Sequence, residues 1–144
     1  MNPLWITGTF RSGYKQKRAA PEKILDGVRE GIRKLRSSSI PESLGEKKRG
    51  GLGETRAYRI NLENRILYGV RRVNETAIVA LFRVCDHPTV YQGAELTTAE
   101  GEFFTQVGTV VLAQTTESER WFSDKERADR LRRARTADRL SMYR

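Results

Sequence analysis

A chain of 144 residues is about one domain long, and its apolar fraction of 38% can build one small core but not a second. Its 27 lysines and arginines against 18 acidic residues give a formal net charge of +9. Such a charge suits binding to nucleic acid, to an anionic membrane surface or to an acidic protein, but it is also compatible with a basic protein that has no specific anionic partner. The single cysteine excludes an intramolecular disulfide, and the lack of a signal-peptide pattern or a membrane-spanning apolar run predicts a cytoplasmic protein with no membrane partner.

The first two predicted elements are a strand and a helix. Residues 4 to 10 place Leu4, Ile6 and Phe10 on one side of an extended chain, which is the two-residue period of a half-buried strand. Pro21 suits the first turn of a helix whose apolar stripe repeats at three- and four-residue steps, with the members Ile24, Leu25, Val28, Ile32 and Leu35. The opposite, solvent-facing side is predicted to carry Lys23, Arg29, Arg33, Lys34 and Arg36.

The middle of the chain predicts a loop, a hairpin and an interior strand. Residues 45 to 53 are rich in glycine and basic side chains, which is typical of an exposed loop. Residues 56 to 70 alternate apolar and polar side chains around a turn at Glu63 and Asn64, so they predict a hairpin. After a second turn at Asn74 and Glu75, the apolar run of residues 77 to 82 predicts a strand at the centre of the sheet, covered on both faces.

The last third of the chain predicts a strand and a basic helix. Residues 103 to 113 fit either a strand or a short buried helix, and we predict a strand. Ser123 and Glu126 form a capping-box pattern, so a helix is expected to begin near Asp124 and to run towards Leu140. From residue 120 onward there are nine basic and four acidic residues. This helix face is either merely solvated or a surface for RNA or an acidic partner, and in the RNA case Arg130 and Arg133 are predicted contacts.

The residue types exclude several common sites. One histidine without a zinc-ligand cluster, and the lack of a Walker loop or a Gly-x-Ser-x-Gly elbow, leave no support for a metal, nucleotide or serine-hydrolase site. No metal and no cofactor are therefore expected. Cys85 ends an apolar run and is predicted to be a small buried side chain rather than a nucleophile.

Two phrases of the sequence resemble one known family. The phrase AYRINLENRILY of residues 57 to 68, and LFRVCDH of residues 81 to 87 followed by Val90 and Tyr91, are similar to the hairpin and the closing strand of the RelE/ParE superfamily of bacterial toxins. The resembling stretch runs from about Trp5 to Tyr91. It implies an α+β fold in which an N-terminal strand and helix, or a helical hairpin, pack on a twisted, mainly antiparallel sheet of about four or five strands. Residues 1–93 would form the toxin core, and residues 94–144, with the possible strand and the basic C-terminal helix, an extension of the same domain that the resemblance does not explain. This extension could complete the core, grip ribosomal RNA or dock an acidic antitoxin.

The resemblance also implies a chemistry. Members similar to RelE, YoeB and YafQ cut mRNA on the ribosome without a metal, which requires a proton acceptor for the ribose 2′-OH, cations for the phosphate and an acid for the leaving oxygen. By resemblance, the catalytic positions are His87 for proton transfer, Tyr91 for stacking or positioning, Lys47 and Lys48 in the basic loop, and Arg59 and Arg65 on the hairpin. Arg49 and Arg83 are expected to contact RNA.

Several of these roles have alternatives. Tyr91 could be a core or edge aromatic, Arg65 could brace the hairpin, and Arg83 could cap the strand end. The YafQ-like members use further histidines on the hairpin side, and because this chain has one histidine in all, the mechanism would depend on His87 with lysine and arginine.

The resemblance implies partners, and two rival functions stay open. The partners would be mRNA and the ribosome with its ribosomal RNA, and a cognate antitoxin that is acidic or binds DNA. The first rival is a non-nucleolytic, gyrase-directed toxin of the ParE kind. The second is a non-catalytic basic RNA-binding module.

Overall fold

The computed structural model describes residues 1–17, 22–47, 54–86, 94–106 and 109–142. These ranges contain five strands, four α-helices and one short 3-10 helix over Pro41–Leu44. The strands are β1 (Leu4–Ile6), β2 (Glu46–Lys47), β3 (Arg56–Arg59), β4 (Asn64–Val73) and β5 (Thr76–Asp86). The helices are α1 (Gly8–Lys17), α2 (Glu22–Ser37), α3 (Ala94–Thr105) and α4 (Thr109–Met142).

The strands form one sheet in the order β1-β5-β4-β3-β2. Strand β1 is parallel to β5, and the other neighbours are antiparallel. Asn74 and Glu75 adopt positive φ angles of 49° and 69°, as a tight turn between β4 and β5 requires. The predicted α+β class, the hairpin of β3 and β4 and the interior position of β5 are therefore confirmed, although β4 rather than β5 is the middle strand of the five.

The predicted N-terminal strand is too long. Strand β1 ends at Ile6 and α1 begins at Gly8, because Thr7 caps the helix: its Oγ1 accepts a hydrogen bond from the Phe10 N–H at 3.1 Å. The same hydroxyl donates to the Phe82 carbonyl at 2.8 Å and so ties the turn to β5. Phe10 still packs with Leu4 and Ile6 as predicted, although it lies in a helix and not in a strand.

Helix α2 has the predicted apolar stripe, and Arg33 and Lys34 of its predicted polar face are exposed, but Arg29 is not. Leu25, Val28, Ile32 and Leu35 are buried. Arg29, which was expected to face solvent, is only 3% exposed. Its guanidinium donates to the Tyr14 hydroxyl at 2.9 Å and pairs with Asp26 at 2.5 Å and with Asp129 at 2.9 Å. Burial acts to lower the pKa of Arg29, but these partners outweigh it and raise that pKa, so the guanidinium keeps its charge.

The predicted strand over residues 103–113 is wrong, because Phe103 to Thr105 end α3 and the chain is helical again from Thr109. Phe103 is fully buried on the sheet, with its ring centroid 4.9 Å from that of Trp5 and 5.8 Å from that of Phe82. A Cβ on Gly69 of β4 would lie 2.8 Å from the Phe104 ring, so glycine lets α3 approach the sheet this closely. A short apolar run fits a buried helix as well as a strand, and packing against the sheet favours the helix here.

The predicted start of the last helix is also wrong. Helix α4 begins at Thr109 and passes through Ser123 without a break, so Ser123 lies in the helix interior. The capping-box pattern consists of residue types that are compatible with an exposed helix interior, and Ser123 and Asp124 are both exposed. Phe122, one position before this pattern, is fully buried, and the helix continues from it towards Thr109.

Helix α4 lies antiparallel to α2 along a row of ion pairs, and we call this row the α2–α4 ladder. Its four rungs are Arg36 with Glu119, Arg33 with Glu126, Arg29 with Asp129 and Asp26 with Arg133. The basic side of α2, predicted to face solvent, is therefore partly covered by acidic side chains of α4. Partial burial acts to raise the pKa of Asp26, but hydrogen bonds from Arg29 and Arg133 outweigh it and hold that pKa below its usual value.

Helix α4 also contacts the free side of β1. The Leu4 N–H donates to Glu119 Oε1 at 3.0 Å, and the Ile6 N–H donates to Ser118 Oγ at 2.8 Å. Phe122 is 1% exposed and belongs to the same apolar cluster as Leu4 and Ile6. Residues after position 94 thus contribute to the core that the N-terminal elements build.

The ion pair of Arg11 and Glu117 predicts an acid-dependent contribution to stability. Two hydrogen bonds of 2.6 Å from Arg11 hold the pKa of Glu117 below its ordinary value of 4.5. A folded-state pKa below the unfolded one gives stability that is present above the unfolded pKa and is lost as the pH falls through the folded one. We expect Glu117→Gln to reduce the loss of stability between about pH 5 and pH 3. Carbon-13 NMR titration of the Glu117 carboxyl should place its midpoint below 4.5, and a midpoint at or above that value would contradict the ion pair.

No helix of the described residues is both long enough and apolar enough to cross a membrane.

Candidate functional site

Six of the ten predicted site residues are described. Four lie outside the described residues: Lys48, Arg49, His87 and Tyr91. The six that can be placed are Lys47, Arg59, Arg65, Arg83, Arg130 and Arg133.

Two arginines face each other at one end of the sheet, and we call this the hairpin end. Arg59, the last residue of β3, lies directly opposite Arg65 of β4, which lies opposite Cys85 of β5. Residues opposite each other in a sheet share a face, so both guanidinium side chains leave the same face. Like charges in directly opposed positions are destabilising, so sheet pairing alone does not favour this arrangement. Asp86, the last residue of β5, lies opposite Asn64 at the same end.

The structure separates the roles of these two arginines. The Arg65 guanidinium turns back to the β3–β4 turn, where its Nη1 donates to the carbonyls of Asn61 and Asn64. Arg59 is exposed and makes no hydrogen bond or ion pair with the rest of the described chain. Arg65 therefore braces the hairpin, and Arg59 is the member of the pair whose charge faces solvent.

The turn that Arg65 braces is ordered by an asparagine. Asn61 Oδ1 accepts hydrogen bonds from the backbone N–H groups of Glu63 at 2.9 Å and Asn64 at 2.8 Å. Such an Asx-type turn fixes the backbone locally, so the ends of β3 and β4 are held in register. The alternation in the sequence predicted the hairpin, but it could not show which side chains satisfy its turn.

Lys47 lies on the other face of the sheet. It pairs with Arg56 of β3, and Arg56 and Tyr58 alternate with Ala57 and Arg59 along that strand. The face of Arg56 is the one covered by α2, where a Cβ on Gly31 would lie 2.8 Å from the Tyr58 ring. The structure therefore does not bring Lys47 together with Arg59 and Arg65.

Arg83 lines a polar groove beside the second half of β5. The groove has a volume of about 430 Å³ and is bounded on the other side by α1, with Thr9, Ser12 and Gln16. It exists because β1 ends at Ile6, so α1 rather than a strand flanks the last residues of β5. The two-residue period of residues 4 to 10 predicted a strand where α1 begins, so it did not indicate that Thr9 lies in this groove, and no sequence pattern singled out Ser12 or Gln16.

The two arginines predicted on the last helix have different surroundings. Arg133 pairs with Asp26 at 2.9 Å and with Asp129 at 3.4 Å, so it is part of the α2–α4 ladder. Arg130 is exposed and has no hydrogen-bond or ion-pair partner among the residues that the structure describes. Of these two arginines, Arg130 is therefore the one that can bind a ligand without giving up an internal ion pair.

The described residues show no ready-made metal site. Among them, no group of three or more histidine, cysteine, aspartate or glutamate side chains is placed to hold a metal ion. Cys85 is buried, as its position at the end of an apolar run predicted.

Solved structures are similar to this fold. No protein-family model matches the sequence, and no curated protein is significantly similar to it. A YoeB/ParE toxin from Agrobacterium tumefaciens is similar with a TM-score of 0.50 and 19% identity, over 60% of this chain and 99% of that one.

Two weaker similarities are to protein complexes. The YoeB-YefM complex from Staphylococcus aureus has a TM-score of 0.44 and 21% identity, over 60% of this chain and 98% of that one. The toxin-antitoxin complex RelBE2 from Mycobacterium tuberculosis has a TM-score of 0.40 and 22% identity, over 60% and 98%. The first similarity shows that the chain has the fold of a YoeB/ParE toxin, which confirms the fold that the two sequence phrases predicted.

Proposed function

We propose that this protein is the toxin of a type II toxin-antitoxin system and that it cuts mRNA on the ribosome without a metal. Three observations support the proposal: the fold of a YoeB/ParE toxin, the two phrases that resemble the RelE/ParE superfamily, and the net charge of +9. None of them by itself implies catalysis, because one fold can carry unrelated functions and the site decides between them.

The observation that carries the catalytic proposal is the register at the hairpin end. Asp86 lies opposite Asn64, one position from the row of Arg59, Arg65 and Cys85. His87 follows Asp86 in the sequence. Asp86, the residue before it, ends β5 at the end of the sheet from which Arg59 extends.

The chemistry requires three kinds of group in one cleft. An imidazole exchanges protons close to neutral pH, so His87 would accept the proton of the 2′-OH or return one to the leaving 5′-oxygen. The Arg59 guanidinium would stabilise the charge that develops on the phosphate, and a guanidinium fork suits phosphate oxygens. Tyr91 would stack on a base or position the phosphate.

The other cations would act around this group. Lys48 and Arg49 would contact the phosphate from the basic loop, whereas Lys47 would have to enter from the opposite face of the sheet. Arg83 would bind RNA from its groove beside α1. Arg65 would act by positioning, since it holds the turn that fixes the ends of β3 and β4.

The proposal includes two macromolecular partners. A ribosome-bound mRNA would be the substrate, and binding would weaken with salt because phosphates supply much of the affinity for a basic protein. A cognate antitoxin, either acidic or with a DNA-binding part, would hold the toxin inactive.

Replacing the histidine tests the proposal. On induced expression in cells, the unaltered protein should arrest growth and produce new mRNA 5′ ends in phase with codons. The variant His87→Ala should lower the frequency of these cuts by about a hundredfold or more at equal protein level, which is the usual contribution of a general acid or base. Lys15→Ala is the control, because Lys15 is exposed on α1, and it should cut like the unaltered protein. Undiminished cutting by His87→Ala would refute the catalytic proposal.

A gyrase-directed toxin is the second candidate. It is favoured by one observation, that Arg65 is engaged in the turn, which leaves one guanidinium of the pair facing solvent. Growth arrest with a DNA-damage response and without mRNA cuts would establish this candidate. RNA binding without arrest or cuts would instead indicate a non-catalytic module.

A further inference from the structure

The C-terminal turns of α4 extend past the body of the protein as an exposed basic arm, which we define as residues 130–142. Every residue from 133 to 141 is exposed. The arm contains five arginines, Arg130, Arg132, Arg133, Arg135 and Arg139, against one acidic residue, Asp138. At about 1.5 Å per helical residue, the nine steps from Arg133 to Met142 extend the helix by roughly 14 Å beyond the last rung of the α2–α4 ladder.

Three of the five arginines carry charge that the fold does not use. Arg132 and Arg133 are held by Asp26 and Asp129. Arg130, Arg135 and Arg139 are exposed, and none of them has an ion pair or hydrogen bond within the described ranges. Arg135 and Arg139 are four positions apart on one helix face, where like charges repel and destabilise a helix slightly. A bound polyanion would relieve this repulsion.

The apolar side chains of the arm do not form a docking stripe for a protein. Leu131 and Leu140 are its large exposed apolar residues, at 55% and 65% exposure. They are nine positions apart, which on a helix of 3.6 residues per turn places them on opposite sides. A helix that binds in a protein groove presents its apolar residues along one face instead. Charge on more than one side of the helix suits a nucleic-acid backbone, because the phosphates of a strand that passes along the helix are contacted by charge and not by one apolar face.

The arm leaves the protein at the hairpin end of the sheet. Gly27 of α2 lies against Ile60, which follows β3, since a Cβ on Gly27 would be 2.6 Å from the Ile60 side chain. Asp26, the neighbour of Gly27, forms the last rung of the ladder with Arg133. The arm therefore begins at the end of the sheet that carries Arg59 and Asp86, on the face covered by α2, which is opposite to the face from which the Arg59 side chain leaves.

We propose that the arm is an RNA-binding element, which holds an RNA strand or helix beside the hairpin end through phosphate contacts of Arg130, Arg135 and Arg139. The choice of RNA over DNA rests on the proposed function. The contact itself rests on the exposure, charge and position of the arm. The arm adds affinity without base readout, because arginines spread around a helix contact the backbone and not one set of base edges.

The test compares two full-length variants of equal net charge. Arg130→Gln/Arg135→Gln/Arg139→Gln removes the unused arm charges. Lys15→Gln/Lys34→Gln/Arg120→Gln removes three exposed charges elsewhere and is the matched control. Both are made in a His87→Ala background, so that binding is measured without cleavage. Fluorescence anisotropy with a labelled 20-base-pair RNA duplex over a range of salt concentrations gives the affinity and its salt dependence, and circular dichroism checks that helix content is kept.

The inference predicts a difference between these variants. Loss of three phosphate contacts should weaken RNA binding roughly tenfold and reduce the slope of log affinity against log salt by about 2 to 3. The matched control should change both quantities much less. Equal losses of RNA affinity in the two variants would show a general charge effect and would refute the proposal that the arm binds RNA. Tighter binding of a DNA duplex of the same sequence would refute the choice of RNA. Neither result would alter the mRNA cuts that test His87, so a failure of the arm and a failure of the proposed function are distinguishable.

Discussion

The variant Asp129→Asn is expected to lower the free energy of unfolding by about 3 kcal/mol or more, because it leaves the buried charge of Arg29 without its buried carboxylate partner. The Asp129 side chain is 4% exposed and contacts Arg29, Arg132 and Arg133. Asparagine keeps the shape and removes the charge, so no cavity contributes to the effect. The Arg29 guanidinium would then be left with Asp26, whose side chain is 40% exposed, and with the Tyr14 hydroxyl.

Urea unfolding of this variant has a matched control on the same helix. Asp124 is 61% exposed and lies 3.8 Å from Arg127, so Asp124→Asn should change the stability by no more than about 0.5 kcal/mol. Adding Arg29→Met to Asp129→Asn should restore part of the loss, because the uncompensated charge is then removed as well. A loss below about 1 kcal/mol for Asp129→Asn would mean that water reaches the group and that the rung is not buried.

The variant Phe122→Ala is expected to destabilise the protein by about 3–5 kcal/mol, which is the usual cost of emptying a fully buried phenylalanine site. Phe122 is 1% exposed, packs in the cluster of Leu4 and Ile6, and lies 5.6 Å from the Arg36 guanidinium above its ring. Because the free energy of unfolding of typical domains is only about 5–15 kcal/mol, this loss would be a large part of the stability of the protein.

Differential scanning calorimetry with Leu131→Ala as control checks this expectation. Leu131 lies on the same helix and is 55% exposed, so its truncation should have little effect on Tm. Phe122→Ala should lower the Tm strongly and keep a single transition, because residues after position 94 and the N-terminal elements share one core. A near-normal Tm, or two separate transitions, would show that α4 folds apart from that core.

The sequence allowed the sheet to be predicted better than the helices around it. Strict alternation identified β3 and β4, and the apolar run identified β5, because residue period and side-chain burial agree there. Phe10 and Phe103 were misassigned, because each is apolar in a position that a strand or a buried helix can fill. Phe10 packs in the cluster of Leu4 and Ile6, and Phe103 packs against Phe82. A local pattern does not contain these contacts.

The sequence also allowed part of the candidate site to be predicted, where residue period and strand pairing agree. The hairpin pattern placed Arg59 and Arg65 together, and the register confirms that they face each other. The pattern could not show that Arg65 turns back to its own hairpin, because this depends on which carbonyl groups of the turn need a hydrogen bond. It also could not show that Lys47 lies on the other face, because this depends on how the two-residue strand β2 pairs. The burial of Arg29 was missed for a related reason, because its partner Asp129 lies 100 positions further along the chain.

The bonds from Leu4 and Ile6 to α4 have a consequence for self-association. An edge strand with unpaired N–H groups can recruit a strand of another molecule and begin aggregation. Here the side chains of Ser118 and Glu119 accept those hydrogen bonds, and the helix lies across the space that a sixth strand would occupy. Two copies of this chain could therefore join their sheets through β1 only after α4 had detached.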